Sequence, residues 1–383
     1  MRLKIADARR WLGGPAAKRR RWAARPRWQR AAVALVVCLL VAEALLRIAG
    51  PSNLRTDPLF GRDAAGFFRL KTSYQGTFMG QVCHTNTFGH RDAEIPLAKP
   101  PGTVRIVAIG DSVTFGDGVA GENAYSQALE SKLRIQLAPT PVDVINAGVP
   151  GRGPRMEYED LRRALVLAPD LAILQISAND IRQPDMTWWQ RRLLQVIRTS
   201  RVGWMLVRFI RYGSFDTRAV EAAVDREAFM LDWQVSEDPP ASDTVWKAWE
   251  RSRAWWARSI GLCRKRGIPV VLLVCPVEFQ LTEPSRRYPQ RALREFANQQ
   301  GVEVVDVLEM VQRAARPEEP PRALWVRYFL DPAHPTPAGH HLIAASLQPV
   351  VERMLAARAQ HHVTLEHPIN EWRQRMARGV RDE

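Results

Sequence analysis

The order of apolar and polar positions along the 383-residue chain predicts strands and helices in alternation. Short apolar runs bounded by glycine, proline or polar residues predict five buried strands. Between the runs, apolar residues recur at the three- and four-residue spacing of a helix with one buried face. The strands are expected near 106–109, 142–145, 171–176, 269–275 and 302–307, and the helices near 124–137, 155–167, 254–266, 291–300 and 340–357.

The alternation of these elements predicts the class of fold. Strands that are apolar throughout are buried on both faces, and strand–helix alternation at this spacing is typical of parallel sheets. We therefore expect an α/β protein in which a parallel five-stranded sheet lies between two layers of helices, a three-layer α/β/α sandwich.

A different pattern occupies residues 31–50, where an apolar run follows a basic segment. Twenty helical residues span about 30 Å, the thickness of a hydrocarbon core, so this run predicts one transmembrane helix. The basic residues before it predict a cytoplasmic N-terminus, with the rest of the chain periplasmic or otherwise outside the cytoplasmic membrane. Glu43 and Arg47 are four residues apart and are expected to pair on one helix face.

An uncleaved signal-anchor is favoured over a cleavable signal peptide because the segment before the run is long. In addition, Pro51 follows the only small-residue candidate cleavage site. A buried helix of a soluble protein is the third alternative. The charge supports the anchor: residues 1–30 hold eleven Lys and Arg and one Asp, which is +10 of the formal +15. The remaining chain is only weakly basic, which argues against a nucleic-acid-binding protein.

The cysteines leave the redox compartment open. Cys38 lies in the apolar run, while a disulfide among Cys83, Cys263 and Cys275 is allowed outside the cytoplasm and cannot be deduced. The chain contains neither CxxC nor HExxH, so we expect no metal and no cofactor.

Two segments stand outside the regular alternation. Residues 51–102 contain aromatic residues and an alternating stretch at 73–82, which predicts short strands in a segment that packs on the main domain. Residues 183–245 form an insertion in which Trp188 to Tyr212 predicts one or two amphipathic helices. The insertion is expected to pack on the domain, to cover the site as a lid, or to rest on the membrane.

Polar motifs follow three of the predicted strands. Gly110-Asp111-Ser112 follows the first, Asn146 to Gly151 follows the second, and Ser177 to Asp180 follows the third. The carboxyl ends of parallel strands meet at one edge of a sheet, where open α/β sheets bind their ligands. A fourth motif, Asp331 to His334, lies near the C-terminal end.

These motifs contain the residue types that acyl transfer needs. Ser112 is the candidate nucleophile, and a serine hydroxyl requires a base to accept its proton. His334 is the candidate base, and Asp331, three residues earlier, can hold the imidazole in one tautomer. Asp111 is expected to cap the following helix, and Asp180 to organise its own loop.

Together the four motifs resemble the ordered blocks of the SGNH, or GDSL-like, hydrolase family: GDS, a lone Gly, GxND and DxxH. The resemblance covers residues 103–357 and extends to membrane-anchored bacterial members, in which a stretch similar to 86–92 precedes the GDS strand. Ser177 stands where the family usually has glycine. The resemblance implies a flavodoxin-like fold and an oxyanion hole formed by the backbone N–H groups of Ser112 and Gly148 and the side-chain amide of Asn179.

The function expected from this sequence is a serine esterase that acts on an acyl or acetyl ester outside the cytoplasmic membrane. An acetylated glycan is one candidate substrate, and the lipid bilayer is the expected partner of residues 31–50. Two alternatives remain open: an O-acyltransferase that uses the same residues, and a non-catalytic binding or assembly protein with this fold. The expected segments are 1–30 (basic, cytoplasmic), 31–50 (anchor), 51–102 (lead-in), 103–358 (hydrolase domain with the 183–245 insertion) and 359–383 (tail).

Overall fold

The structure is a computed structural model that describes residues 26–49, 59–62, 68–182, 200–212, 230–240 and 242–377. The chain divides into two compact units. The smaller unit comprises Met1–Pro58 and Met186–Val224, and the larger comprises Leu59–Asp185 and Asp225–Glu383. Most of the basic N-terminal segment and two parts of the predicted insertion, 183–199 and 213–229, lie outside the described residues.

The five predicted strands form one parallel sheet in the larger unit, with the strand order β6-β5-β7-β8-β9. This order places the first strand of the sheet between the second and the third, as in a flavodoxin-like fold. The prediction of the fold class is confirmed, and the strand ends agree to within two residues. The strands are β1 (Phe60–Arg62), β2 (Phe68–Leu70), β3 (Gln75–Phe78), β4 (Gln81–His84), β5 (Val104–Ile109), β6 (Val142–Asn146), β7 (Leu171–Ile176), β8 (Val270–Val274) and β9 (Glu303–Asp306).

The helices occupy the intervals between the strands, and two of them extend beyond the predicted bounds. The hydroxyl of Ser242 caps a helix that begins well before 254, and the last helix continues to Ala377, so the described part of the predicted tail is helical. The helices are α1 (Arg27–Ala49), α2 (Ser112–Phe115), α3 (Tyr125–Gln136), α4 (Pro154–Ala164), α5 (Arg201–Tyr212), α6 (Asp243–Arg264), α7 (Tyr288–Gln300), α8 (Val307–Arg313), α9 (Pro321–Tyr328) and α10 (Pro337–Ala377).

Alternate residues of the buried strands pack into two separate clusters, one on each face of the sheet. Val107 and Ile109 of β5 belong to the cluster that includes Trp256 of α6. Ile106, on the opposite face of the same strand, belongs to the cluster that includes Leu129 of α3. Because side chains alternate across a strand, this division confirms the predicted three layers.

The lead-in segment forms two antiparallel strand pairs, β1 with β2 and β3 with β4. The second pair confirms the strands predicted from the alternation at 73–82. Farther along, the buried guanidinium of Arg91 donates hydrogen bonds to the carbonyls of Phe115, Gly116 and Val119 at 2.7–3.0 Å. Arg91 therefore attaches the lead-in segment to the chain that follows Ser112.

The three candidate disulfide partners form no disulfide among the described residues. Cys83, Cys263 and Cys275 are all buried. Burial raises the pKa of Cys263 to about 12 and also raises the pKa of Cys275. The thiols of Cys263 and Cys275 therefore stay protonated at neutral pH.

The smaller unit contains α1 and α5. The helix α1 is long and apolar enough to cross a membrane, as signal sequences near an N-terminus also are. The most apolar 18-residue window within Arg27–Ile48 has a mean hydropathy of 2.4. Arg47 Nε donates to Glu43 Oε1 at 2.7 Å, which is the pair that the spacing predicts. Within this unit, α5 packs on α1.

Candidate active site

The first motif places Ser112 at the carboxyl edge of the sheet. The chain leaves β5 at Ile109, passes through Gly110 and Asp111, and enters α2 at Ser112. Asp111 Oδ1 accepts a hydrogen bond from the N–H of Val113 at 2.9 Å and so caps α2, as predicted. This cap fixes the beginning of α2, where the Ser112 hydroxyl lies.

The structure brings together the three residues that the sequence assigned to acyl transfer. Ser112 Oγ lies 2.9 Å from His334 Nε2, and His334 Nδ1 lies 2.7 Å from Asp331 Oδ2. The other oxygen of Asp331 accepts the N–H groups of Ala333 and His334 at 2.8 and 2.9 Å. The carboxylate is therefore oriented by its own loop, and it orients the imidazole towards the serine.

The charges of this group favour a protonated imidazole next to an ionised carboxylate. Burial alone would lower the pKa of His334, but the hydrogen bond and charge of Asp331 outweigh burial and raise that pKa above its usual value. Burial tends to raise the pKa of Asp331, and its bonds to His334 and the backbone lower it further than burial raises it. An imidazolium formed when His334 accepts a proton is therefore stabilised.

A second carboxylate near His334 was not identified from the sequence. Burial raises the pKa of Asp117 to about 7, while the charges of His334 and Arg91 lower it and that of Asp111 raises it. Asp117 Oδ1 is buried and has no hydrogen-bond partner within the described part of the chain. The glycines on both sides of Asp117 are the sequence signal that marks this turn, since both adopt positive φ angles.

The second motif brings Gly148 against α2. A Cβ atom at this position would lie 2.3 Å from the backbone nitrogen of Phe115, so the loop can approach α2 this closely only with glycine. The next residue, Val149, donates its N–H to the carbonyl of Gly110 at 3.0 Å. The N–H of Gly148 itself donates to Asn146 Oδ1 at 3.2 Å, so in this state it has a protein acceptor.

The third motif forms a short 3-10 turn, Ala178–Arg182, directly after β7. The N–H of Ser177 donates to Asp180 Oδ2 at 2.8 Å, so Asp180 organises its loop as predicted. Ser177 does not adopt a positive φ, and serine therefore fits where the family usually has glycine. Asn179 lies in this turn, and its side chain is outside the described residues.

One buried side chain that the sequence analysis missed connects the first and third motifs. Gln175 Oε1 accepts hydrogen bonds from the N–H of Asp111 at 3.0 Å and from Thr114 Oγ1 at 3.1 Å. Gln175 Nε2 donates to Ser177 Oγ at 2.5 Å. A polar residue within the otherwise apolar strand Leu171–Ile176 was the signal that could have identified it.

A sequence model of the GDSL-like Lipase/Acylhydrolase family matches residues 108–342, more than half of the chain. No curated protein matches the chain.

Solved structures of bacterial proteins are similar to this chain at low identity. A member of the lipolytic protein G-D-S-L family from Veillonella parvula is 14% identical with a TM-score of 0.40, covering 66% of this chain and 100% of that chain. A putative lipolytic protein of the same family from Desulfitobacterium hafniense is 13% identical with a TM-score of 0.39, covering 65% and 99%. A catalytic mutant of an acetylxylan esterase from Geobacillus stearothermophilus is 14% identical with a TM-score of 0.39, covering 66% and 95%.

Proposed function

Because the chain belongs to the GDSL-like lipase/acylhydrolase family and is a serine esterase of that family, we propose that Ser112, His334 and Asp331 are its catalytic residues. The observation that carries this proposal is the unbroken hydrogen-bonded path from Asp331 through His334 to Ser112 Oγ, with distances of 2.7 and 2.9 Å. A nucleophile, a base and a group that orients the base are the arrangement that serine-based acyl transfer uses.

In the first half-reaction, Ser112 Oγ bonds to the ester carbonyl carbon while His334 Nε2 accepts the hydroxyl proton. The imidazolium then gives this proton to the oxygen of the leaving alcohol as the carbon–oxygen bond of the ester breaks. The acyl group remains on Ser112. In the second half-reaction, His334 accepts a proton from water, the water oxygen bonds to the acyl carbon, and Ser112 recovers its proton as the acid departs.

We propose that the negative oxygen formed at each step is bound by the N–H groups of Ser112 and Gly148 and by the side-chain amide of Asn179. The N–H of Ser112 suits this role because the first N–H groups of a helix have no acceptor within it. A negatively charged oxygen is a stronger acceptor than a neutral amide, so it would draw the N–H of Gly148 away from Asn146. Each such donor stabilises the transition state by about 3–4 kcal/mol.

We also propose that α1 anchors the enzyme in the cytoplasmic membrane, with residues 1–30 in the cytoplasm and the hydrolase domain at 103–358 outside it. The apolar helix Arg27–Ile48 supports this, since its most apolar window is not buried by the rest of the protein. The eleven basic residues among 1–30 support the orientation. An esterase held at the outer face would meet acylated polymers of the cell surface, so we propose an acyl or acetyl ester of a polysaccharide as its substrate.

The experiment compares hydrolysis of p-nitrophenyl acetate by the full chain in phospholipid nanodiscs with hydrolysis by Ser112→Ala and His334→Ala. Exposed residues of the same types provide matched controls, Ser131→Ala and His341→Ala. We expect the two site variants to lose at least about a thousandfold in kcat and the two controls to keep the parent rate.

The outcomes separate the candidate functions. Equal activity in the parent and in Ser112→Ala would refute the assignment of the nucleophile. A parent that does not hydrolyse the ester but is labelled at Ser112 by a fluorophosphonate would indicate an acyltransferase that needs its own acceptor. A folded parent that is neither active nor labelled would indicate a non-catalytic binding protein.

A further inference from the structure

The carboxylate of Glu43 has an unusual position, because it lies within the apolar helix α1. Its two oxygens accept hydrogen bonds from Arg47 Nε at 2.7 Å and Ser200 Oγ at 2.9 Å. They also accept the backbone N–H groups of Arg201 at 3.1 Å and Val202 at 3.0 Å. A carboxylate in an apolar layer is stable only when it is hydrogen-bonded in this way, so these donors explain how α1 accommodates Glu43.

Three of the four donors come from the beginning of α5. The first N–H groups of a helix have no acceptor within it and carry a partial positive charge, which a carboxylate neutralises. Ser200 also caps α5, since its hydroxyl accepts the N–H of Gly203 at 2.9 Å. Arg201 adds a hydrogen bond from its guanidinium to the carbonyl of Leu46. The N-terminus of α5 is therefore attached to α1 at the level of Glu43.

This attachment determines the depth at which α5 begins. Glu43 lies five residues before Ile48, the last residue of the apolar span, which is about 8 Å along the helix axis. At that depth water does not reach the backbone, and unpaired N–H groups would be costly. The contacts with Glu43 satisfy the N–H groups of Arg201 and Val202, so the beginning of α5 is suited to the membrane interior.

Three of the side chains that the structure describes on α5 are both apolar and exposed. Leu206, Phe209 and Ile210 are 48%, 44% and 81% exposed. Their spacing of three and four residues places them on one side of the helix. On α1 itself, Leu45 and Ile48 are exposed at the same end of the span. In the smaller unit, both α1 and α5 therefore expose apolar side chains.

We infer that α5 is a second membrane-embedded helix, held in the outer leaflet by Glu43, and that its face formed by Leu206, Phe209 and Ile210 contacts lipid acyl chains. The inference rests on the proposed anchoring of α1. It assigns this part of the insertion to the outer leaflet of the membrane rather than to a lid over the site or to a contact with a second copy of the chain.

The test measures the surroundings of single nitroxide labels on the full chain in phosphatidylethanolamine–phosphatidylglycerol nanodiscs. Cys38→Ala removes the exposed native thiol, and the other three native thiols are buried. Labels at Ile210→Cys and Ile135→Cys form a matched pair, since both isoleucines are 81% exposed and Ile135 lies on α3. A label at Leu40→Cys, a residue that is 64% exposed on α1, reports on the span. Electron paramagnetic resonance then compares collisions with oxygen, which concentrates in lipid, and with a water-soluble nickel chelate.

We expect the labels at Ile210→Cys and Leu40→Cys to collide more often with oxygen than with the nickel chelate. The label at Ile135→Cys should collide more often with the nickel chelate. If the label at Ile210→Cys collides mostly with the nickel chelate and the label at Leu40→Cys mostly with oxygen, the inference is overturned and the proposed anchor stays intact. Nickel dominance at both would instead refute the proposed anchoring. Shielding of Ile210→Cys from both reagents would show that protein covers this face, and it would also overturn the inference.

The role of Glu43 is tested in the same experiment. Glu43→Leu removes the acceptor, so the label at Ile210→Cys should become accessible to the nickel chelate while the label at Leu40→Cys does not change. Glu43→Gln keeps one acceptor oxygen and should retain most of the oxygen preference. An unchanged signal in Glu43→Leu would show that this carboxylate does not hold α5.

Discussion

Replacing Gln175 by methionine tests whether the buried amide of β7 holds the nucleophile turn in place. Gln175 accepts the N–H of Asp111 at 3.0 Å and donates to Ser177 Oγ at 2.5 Å. Methionine has nearly the same volume and flexibility but has no amide, so Gln175→Met removes these hydrogen bonds without opening a large cavity.

The magnitude follows from what each partner loses. Gln175→Met removes the oxygen that accepts the buried N–H of Asp111, which costs about 1–3 kcal/mol. Loss of the bond to Ser177 adds about 0.5–1.5 kcal/mol. Thr114 loses little because its hydroxyl also bonds to the Tyr125 hydroxyl at 2.9 Å. The free energy of unfolding should therefore fall by about 1.5–4.5 kcal/mol, which lowers Tm by roughly 3–18 °C.

The assay combines thermal unfolding with hydrolysis of p-nitrophenyl acetate. Because Ser112 follows Asp111 directly, we expect kcat to decrease more than KM increases in Gln175→Met. The matched control is Gln136→Met, which makes the same change at the exposed end of α3 and should leave both Tm and kcat unchanged. If Gln175→Met has the Tm and kcat of the parent, the amide does not organise the turn and the reasoning is refuted.

Three further changes test the site. Gly148→Ala should lower kcat by about 100- to 1000-fold, because a Cβ would lie 2.3 Å from the backbone of α2 and displace a proposed oxyanion donor. The control Gly261→Ala should keep the parent kcat, because nothing lies within 4 Å of a Cβ there. Equal kcat values for the two variants would contradict this explanation. Asp331→Asn should move the acidic limb of the residual pH–rate profile to lower pH, since Asp331 raises the pKa of His334. An unchanged acidic limb would show that Asp331 does not raise this pKa. Asp117→Asn should stabilise the protein at pH 8. The folded pKa of Asp117 is raised to about 7 from 3.8, so the parent loses stability as pH rises through this window and the variant does not; a difference in Tm that is the same at pH 4 and pH 8 would contradict the shift.

Local pattern was sufficient for the sheet and for the residues of the proposed reaction. Strands buried on both faces have few polar positions, so β5 and β7 could be identified from composition and length alone. Parallel strands end at one edge, which is why Ser112 and Gly148 could be expected near each other. His334 and Asp331 were predicted because the four ordered motifs resemble those of the GDSL-like family. Their three-residue spacing also suits a base and the carboxylate that orients it.

Contacts between distant parts of the chain were decided only by the tertiary structure. Gln175 is an evident exception in an apolar strand, yet its partner Asp111 is 64 residues away and no pattern connects the two. Asp117 follows Ser112 by a few residues, but its raised pKa depends on burial and on charges that folding brings around it.

The apolar N-terminal segment shows the same division between sequence and structure. The apolar run and the pair formed by Glu43 and Arg47 were evident from hydropathy and four-residue spacing. The attachment of Glu43 to Ser200, which is 157 residues later, was not. Periodicity reports the face that each element buries, whereas the identity of a polar partner depends on how the elements pack, and that is determined only when the whole chain has folded.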